Sequence, residues 1–151
     1  MHSPQMNADE RRYKYSELTE QIIGIFYEVY NELGFGFLEK VYEEAMALAL
    51  KERGIEFRQQ VPIPVWFHGE TIGSYDADLI VGGVVLVELK ACRALESAHE
   101  AQLLHYLRST EIEVGLLLNF GSRPQVKRLA FENQRKKISG HLRKSAAKGS
   151  S

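Results

Sequence analysis

The feature that most constrains the fold is a pair of apolar segments joined by two glycines. Residues 72–81 and 84–91 are rich in apolar and β-branched residues, and Gly82-Gly83 separates them, which is a strong β-hairpin signal. Residues 84–87 are apolar at every position, so both faces of that strand should be buried. We therefore predict two antiparallel strands in the centre of a sheet that is covered on both sides.

Helices and an edge strand are predicted before this hairpin. Apolar residues at helical spacing begin after Ser16, a candidate N-cap, and end at Gly34. A second helical pattern runs to Gly54, a candidate C′ residue. Residues 57–67 alternate like a strand but contain two prolines, which indicates an edge strand or a bulge.

A third helix is predicted after the hairpin, at residues 95–109, followed by strands at 114–120 and 126–131. A strand, a helix and another strand in this order suggest a crossover to a parallel neighbour. The sequence thus predicts an α/β fold in which a mixed central β-sheet of about five strands is flanked by helices on both faces.

The length of 151 residues suits one domain. We predict a flexible extension at residues 1–15, the domain at 16–131 and a basic tail at 132–151 that frays from about Asn133. The apolar runs are shorter than the roughly 20 residues of a membrane span, and residues 1–15 lack the pattern of a secretory signal. We expect a cytoplasmic protein without a membrane partner.

The net charge of −1 conceals an acidic body and a basic tail. Residues 1–131 contain thirteen bases and nineteen acids, a balance of −6, whereas residues 132–151 contain six bases and one acid. An acidic body is unusual for a protein that holds nucleic acid by charge alone, but it suits a site whose metal cation attracts phosphate. The tail could contact a phosphate backbone or simply be solvated.

Three charged residues on the hairpin predict chemistry. Glu88 and Lys90 project from the same strand face because alternate strand residues share a face. A two-residue turn at Gly82-Gly83 would pair Asp78 with Val87, whereas a three-residue loop or a bulge would pair it with Glu88. We predict the second arrangement, since the first leaves buried charges facing apolar layers without partners.

Two facing carboxylates repel each other unless a cation lies between them, and such oxygen sites suit Mg²⁺ or Mn²⁺. Asp78, Glu88 and the backbone carbonyl of Leu89 are the predicted metal ligands. Lys90 could orient or deprotonate a metal-bound water and stabilise charge growing on phosphorus. The alternative is a structural Glu88–Lys90 ion pair capped by Asp78. Cys92, the only cysteine, is interpreted as a small buried hydrophobe rather than a nucleophile.

Other polar residues could complete the site. Glu39, near the start of the second helix, could reach a metal across the sheet face or be an ordinary acid at a helix N-terminus. Gln102 and Tyr106 lie one helical turn apart on the face that should also contain His99. They could hold a water or a phosphate oxygen, or be half-buried polar residues of no special function.

Three sequence elements resemble known signatures: Asp78 with Glu88-x-Lys90, Gln102-x-x-x-Tyr106, and the heptapeptide Gly36 to Tyr42. The first resembles the core of the PD-(D/E)XK nuclease superfamily, with Ala77 in place of the proline, and the second resembles an element of its RecB-type members. The heptapeptide resembles the hallmark of the GxxExxY family in that superfamily. The resemblance implies a restriction-endonuclease-like fold and the following roles: Glu39, Asp78 and Glu88 as metal ligands, Lys90 as the catalytic lysine, and Gln102 and Tyr106 as supporting residues.

Two functions remain open from the sequence. The first is a Mg²⁺- or Mn²⁺-dependent nuclease that hydrolyses the phosphodiester bonds of DNA or RNA with a metal-activated water. The second keeps the fold without catalysis, as a partner-binding or oligomerisation module such as a homodimer. A metal-independent RNA-binding domain is least favoured because the body of the protein is acidic.

Overall fold

The computed structural model describes residues 15–138. In chain order the elements are α1 (Ser16–Leu33), α2 (Glu39–Glu52), β1 (Phe57–Phe67), β2 (Glu70–Val81), β3 (Val85–Lys90), α3 (Ser97–Arg108), β4 (Val114–Phe120), β5 (Pro124–Ala130) and α4 (Asn133–Ile138). No helix among these residues is long and apolar enough to span a membrane.

The five strands form one mixed sheet in the order β1-β2-β3-β4-β5. All neighbours are antiparallel except β3 and β4, which are parallel and are connected through α3. The predicted central hairpin, the edge position of the proline-containing β1 and the parallel crossover are therefore confirmed.

Helices cover both faces of the sheet, as the two-sided apolar character of β3 and β4 requires. On one face, α1 and α2 pack against the sheet around Phe26, Tyr42 and Phe120. On the other face, α3 packs through Leu103 and Leu107. The predicted α/β class with helices on both faces of a five-stranded sheet is confirmed.

Glycines end the first two helices as predicted. Gly34 has a positive φ of 70°, and its N–H donates to the carbonyl of Tyr30. Gly54, also at φ 70°, is the C′ residue of α2 and donates to Lys51, while the next N–H reaches back to the carbonyl of Leu50. These two bonds form a Schellman motif, which satisfies carbonyls that the helix itself leaves open.

The structure corrects two predictions about helix ends. Tyr15, in a left-handed conformation, is the N-cap of α1, and Ser16 is the first helical residue rather than the cap. Residues 133–138 are helical, whereas we expected fraying from Asn133. Lys136 fastens this helix, because its buried ammonium donates to the carbonyls of Thr110 and Ile112, each at 2.8 Å. The rest of the predicted tail, and residues 1–14 of the predicted extension, lie outside the described residues.

Candidate active site

The hairpin register brings the two predicted acids opposite each other. Val81 pairs with Val85, so residues 82–84 form a three-residue loop, in which both glycines have positive φ. The same register pairs Leu79 with Val87. Continued by one residue, it places Asp78 opposite Glu88, whose carboxylate accepts the N–H of Asp78. The predicted choice of loop is therefore confirmed, and glycine permits it because it adopts positive φ without steric cost.

The carboxylates of Asp78 and Glu88 lie between β2 and β3 and accept backbone N–H groups in place of backbone carbonyls. The N–H of Leu89 donates to Asp78 Oδ2 at 2.8 Å, and the N–H of Asp78 donates to Glu88 Oε2 at 3.3 Å. The last backbone pair of the β2–β3 ladder is Leu79 with Val87. Side-chain oxygens thus satisfy the backbone donors at the point where the strands separate.

Both acids are held in a site that disfavours two negative charges. Burial is the largest cause of a raised pKa for Asp78, although the Leu89 N–H bond opposes the shift. Glu88 is 5% exposed, and burial, reinforced by the charge of Asp78, raises its pKa to about 8. A positive charge placed between these carboxylates would relieve both effects.

Two tyrosines support Glu88 from the side of the sheet that α3 covers. The hydroxyl of Tyr75 on β2 lies close enough to the Glu88 carboxylate to oppose the rise in the pKa of Glu88. Tyr106 of α3 stacks on Tyr75, with ring centroids 3.4 Å apart. Interactions with Tyr75 and with the exposed Gln102 oppose the rise in the pKa of Tyr106. Burial is the main cause of the raised pKa of both tyrosines.

A second group of polar side chains supports Asp78 from β1 and α2. Gln60 donates from Nε2 to Asp78 Oδ1 at 3.3 Å and to Glu43 Oε1 at 2.8 Å. Glu43 is buried on α2 and also accepts from Gln59 at 2.8 Å. Gln60 has a positive φ of 50° and interrupts the β1–β2 ladder opposite Asp78. Such irregularities are frequent next to active sites.

The side of the sheet that each residue faces also changes at Asp78. Ala77 packs with the α3 side, whereas Leu79 packs with the α1 and α2 side. Residues two apart normally share a face. The irregular backbone therefore lets Asp78 receive contacts from both β1 and β3.

Lys90 follows Glu88 by two residues on β3 and lies beside this pair. Its charge lowers the pKa of Glu88, but within residues 15–138 no carboxylate lies within 4.0 Å of its ammonium. The alternative of a structural Glu88–Lys90 ion pair is therefore not realised here.

Two of the predicted residues stand apart from the acids. Glu39 is exposed and acts on the site only through its charge, which helps to raise the pKa of Asp78. His99 was predicted on the inner face of α3. Instead, its Nδ1 accepts the N–H of Glu96 at 3.0 Å and completes a capping box. In the described part of the chain, no three His, Cys, Asp or Glu side chains are grouped closely enough to hold a metal.

Sequence reasoning missed the roles of Tyr75, Gln60 and Glu43. Tyr75 shares the strand face of Ala77, and this spacing was a usable signal. Gln60 and Glu43 had none, because each looks like an ordinary surface residue until β1 and α2 are placed side by side.

The pattern that describes the PD-(D/E)XK nuclease superfamily matches residues 16–129 of the sequence. The chain belongs to this superfamily. No curated protein matches its sequence. The fold of SSO0001, a solved structure, is similar, with 19% identity, 91% of this chain and 73% of the other covered, and a TM-score of 0.51. An alkaline exonuclease from Laribacter hongkongensis matches with 12% identity, 73% of this chain and 64% of the other covered, and a TM-score of 0.40.

The residues of this superfamily member fit a hard divalent cation. Asp78 and Glu88 supply carboxylate oxygens, which Mg²⁺ and Mn²⁺ prefer. A bound cation would relieve the repulsion between the two acids. The Leu89 carbonyl follows Glu88 directly and is a further oxygen donor. Glu39 would have to approach from its exposed position on α2 to contribute.

Proposed function

We propose that this protein is a Mg²⁺- or Mn²⁺-dependent nuclease that hydrolyses phosphodiester bonds of DNA or RNA. The observation that carries the proposal is a pair of mutually repelling carboxylates, the half-buried Asp78 and the buried Glu88, beside Lys90, which forms no ion pair within residues 15–138. Buried like charges are costly to fold. Their presence at an irregular point of the sheet favours a binding role over a structural one.

Each residue has a distinct task in this proposal. Asp78, Glu88 and the Leu89 carbonyl would hold the cation, which, when bound, supplies positive charge and lowers the pKa of water. Lys90 stabilises the negative charge that develops on the phosphoryl group and positions the attacking water. Tyr75 would keep Glu88 in one orientation by donating to its carboxylate, and Tyr106 and Gln102 would extend that support.

We further infer that the chain belongs to the GxxExxY family within the superfamily. The support is the heptapeptide Gly36 to Tyr42, in which the last residue has a clear structural function. The Tyr42 hydroxyl donates to the carbonyl of Gly34 at 2.6 Å and accepts the N–H of Phe37 at 3.2 Å. These bonds fix the loop that precedes Glu39. To reach the cation, Glu39 would need a small movement of α2.

Cleavage assays test the nuclease proposal. Purified protein is incubated with single- and double-stranded DNA and RNA, with Mn²⁺ or with chelator. We expect cleavage that requires the cation and is lost in Lys90→Ala. Lys51→Ala, at an exposed lysine at the end of α2, is the matched control and should cleave like the wild type. Absence of cleavage on every substrate, or cleavage that survives Lys90→Ala, would contradict the proposal.

Two observations favour a catalytically silent module as the second candidate. Within residues 15–138 no group of three metal-ligating side chains is assembled, and both oxygens of Asp78 already accept hydrogen bonds. Calorimetric titration with Mn²⁺ separates the candidates. Binding that is lost in Asp78→Asn supports the nuclease, whereas no heat of binding together with a stable oligomer in light scattering supports the silent module.

A further inference from the structure

Two loops lie side by side at the edge of the sheet where β3 and β4 end. The strands are parallel and end at Lys90 and Phe120, so their carboxyl ends share this edge. The buried amide of Asn119 accepts the N–H of Cys92 at 3.0 Å and donates to its carbonyl at 2.9 Å. Gly121 packs directly on the Cys92 carbonyl. The two loops are therefore fixed to each other next to the proposed catalytic lysine.

Each of these loops carries an exposed arginine. Arg93 and Arg123 are exposed, and within the part of the chain that the structure describes neither forms an ion pair or a side-chain hydrogen bond. By contrast, Lys40 and Lys127 pair with acids.

An exposed aromatic loop is attached to the same edge. Tyr42, whose hydroxyl holds Gly34, stacks on Phe120 at the end of β4 with ring centroids 4.0 Å apart. In the loop that follows Gly34, Phe35 is 62% exposed and Phe37 is 48% exposed. Two aromatic rings thus face solvent near the end of β4, close to the loop that carries Arg123.

We propose that Arg93, Arg123, Phe35 and Phe37 form a binding surface for a single strand of nucleic acid that leads to Lys90. The arginines would contact successive phosphates, and the phenylalanines would stack on unpaired bases. Stacking requires bases that are not enclosed in a duplex, so the aromatic part selects single-stranded over double-stranded substrate. This inference rests on the proposed nuclease function and names its substrate class.

The charged half of the surface is tested by removing two positive charges. Binding of fluorescently labelled single strands of mixed sequence is followed by anisotropy in chelator, over a range of salt concentrations. In Arg93→Gln/Arg123→Gln we expect about tenfold weaker binding for all sequences, and a salt slope smaller by about 1.4, which is about 0.7 per phosphate contact. Lys51→Gln/Arg58→Gln removes the same charge near the opposite edge, where β3 begins, and should match the wild type.

The aromatic half is tested by Phe35→Ala. We expect about fivefold or greater weakening for single strands, from the loss of one stacked base, and little change for duplex of the same length. Phe67→Ala is the matched control. Phe67 is 56% exposed and pairs with Glu70, eight residues along β2 from Asp78, which is about 25 Å.

The outcomes separate this inference from the proposed function. If the wild type cleaves nucleic acid but prefers duplex, the proposed binding surface is wrong and the nuclease proposal stands. If either test variant binds single strands as the wild type does, the binding surface is likewise wrong and the nuclease proposal is unaffected. An equal effect of the opposite-edge charge control also overturns the surface. If binding changes as expected but no substrate is cleaved, the nuclease proposal fails and the surface stands. A wild type that binds no strand, with or without Mn²⁺, overturns both.

Discussion

Replacing Glu88 by Gln should stabilise the protein in chelator, and increasingly so as the pH rises. Burial and the charge of Asp78 raise the pKa of Glu88 from 4.5 to about 8. The folded state therefore holds this proton more tightly than the unfolded chain, so ionisation favours unfolding above about pH 4.5, until the folded protein also ionises near pH 8. At about 1.4 kcal/mol per pKa unit, the carboxylate costs about 1 kcal/mol at pH 5, about 3 kcal/mol at pH 7 and about 5 kcal/mol at pH 9.

Urea unfolding across this pH range measures the effect, with the single tryptophan, Trp66, as the fluorescent probe. The difference in unfolding free energy between Glu88→Gln and wild type should grow by about 4 kcal/mol from pH 5 to pH 9. Asp76→Asn, at an exposed position of the same strand, controls for the loss of one negative charge. A difference that does not vary with pH would mean that water reaches Glu88, and the reasoning from its burial would be refuted. Mn²⁺ at pH 7 should stabilise the wild type and not Glu88→Gln.

Two further changes test the packing around the site. Gly121→Ala should lower the unfolding free energy by about 1–3 kcal/mol, because an added Cβ would collide with the Cys92 carbonyl oxygen. Gly24→Ala, with open space around it in α1, should instead raise the unfolding free energy by up to about 1 kcal/mol. Thermal unfolding of both variants measures the difference, and equal melting temperatures would contradict the prediction. Lys136→Met should lower the unfolding free energy by about 1–3 kcal/mol and speed hydrogen exchange in α4, because the carbonyls of Thr110 and Ile112 lose their donor. Unchanged exchange would show that α4 does not depend on this lysine.

The fold was predictable where neighbouring residues alone impose the geometry. The glycines after Val81 permit a three-residue loop. The register follows because Asp78 and Glu88 must face each other rather than point into opposite apolar layers without partners. The helix starts and the tail were less predictable. Tyr15 begins α1 without a side-chain cap, so the presence of a good capping residue at Ser16 was misleading. Helix α4 depends on Lys136 reaching carbonyls more than twenty residues earlier, which no local pattern contains.

The sequence by itself determined that Asp78 and Glu88 face each other with Lys90 nearby on the same strand, because strand periodicity and a short glycine loop act over about ten residues. Only the tertiary structure decided what surrounds them. Tyr75, Gln60 and Glu43 come from three elements, and their contacts depend on how α2, α3 and the strands are packed rather than on spacing along the chain. Neighbouring residues fix the geometry of a strand or a short loop. The polar contacts of the site join residues from separate elements, which come together only when the helices pack on the sheet.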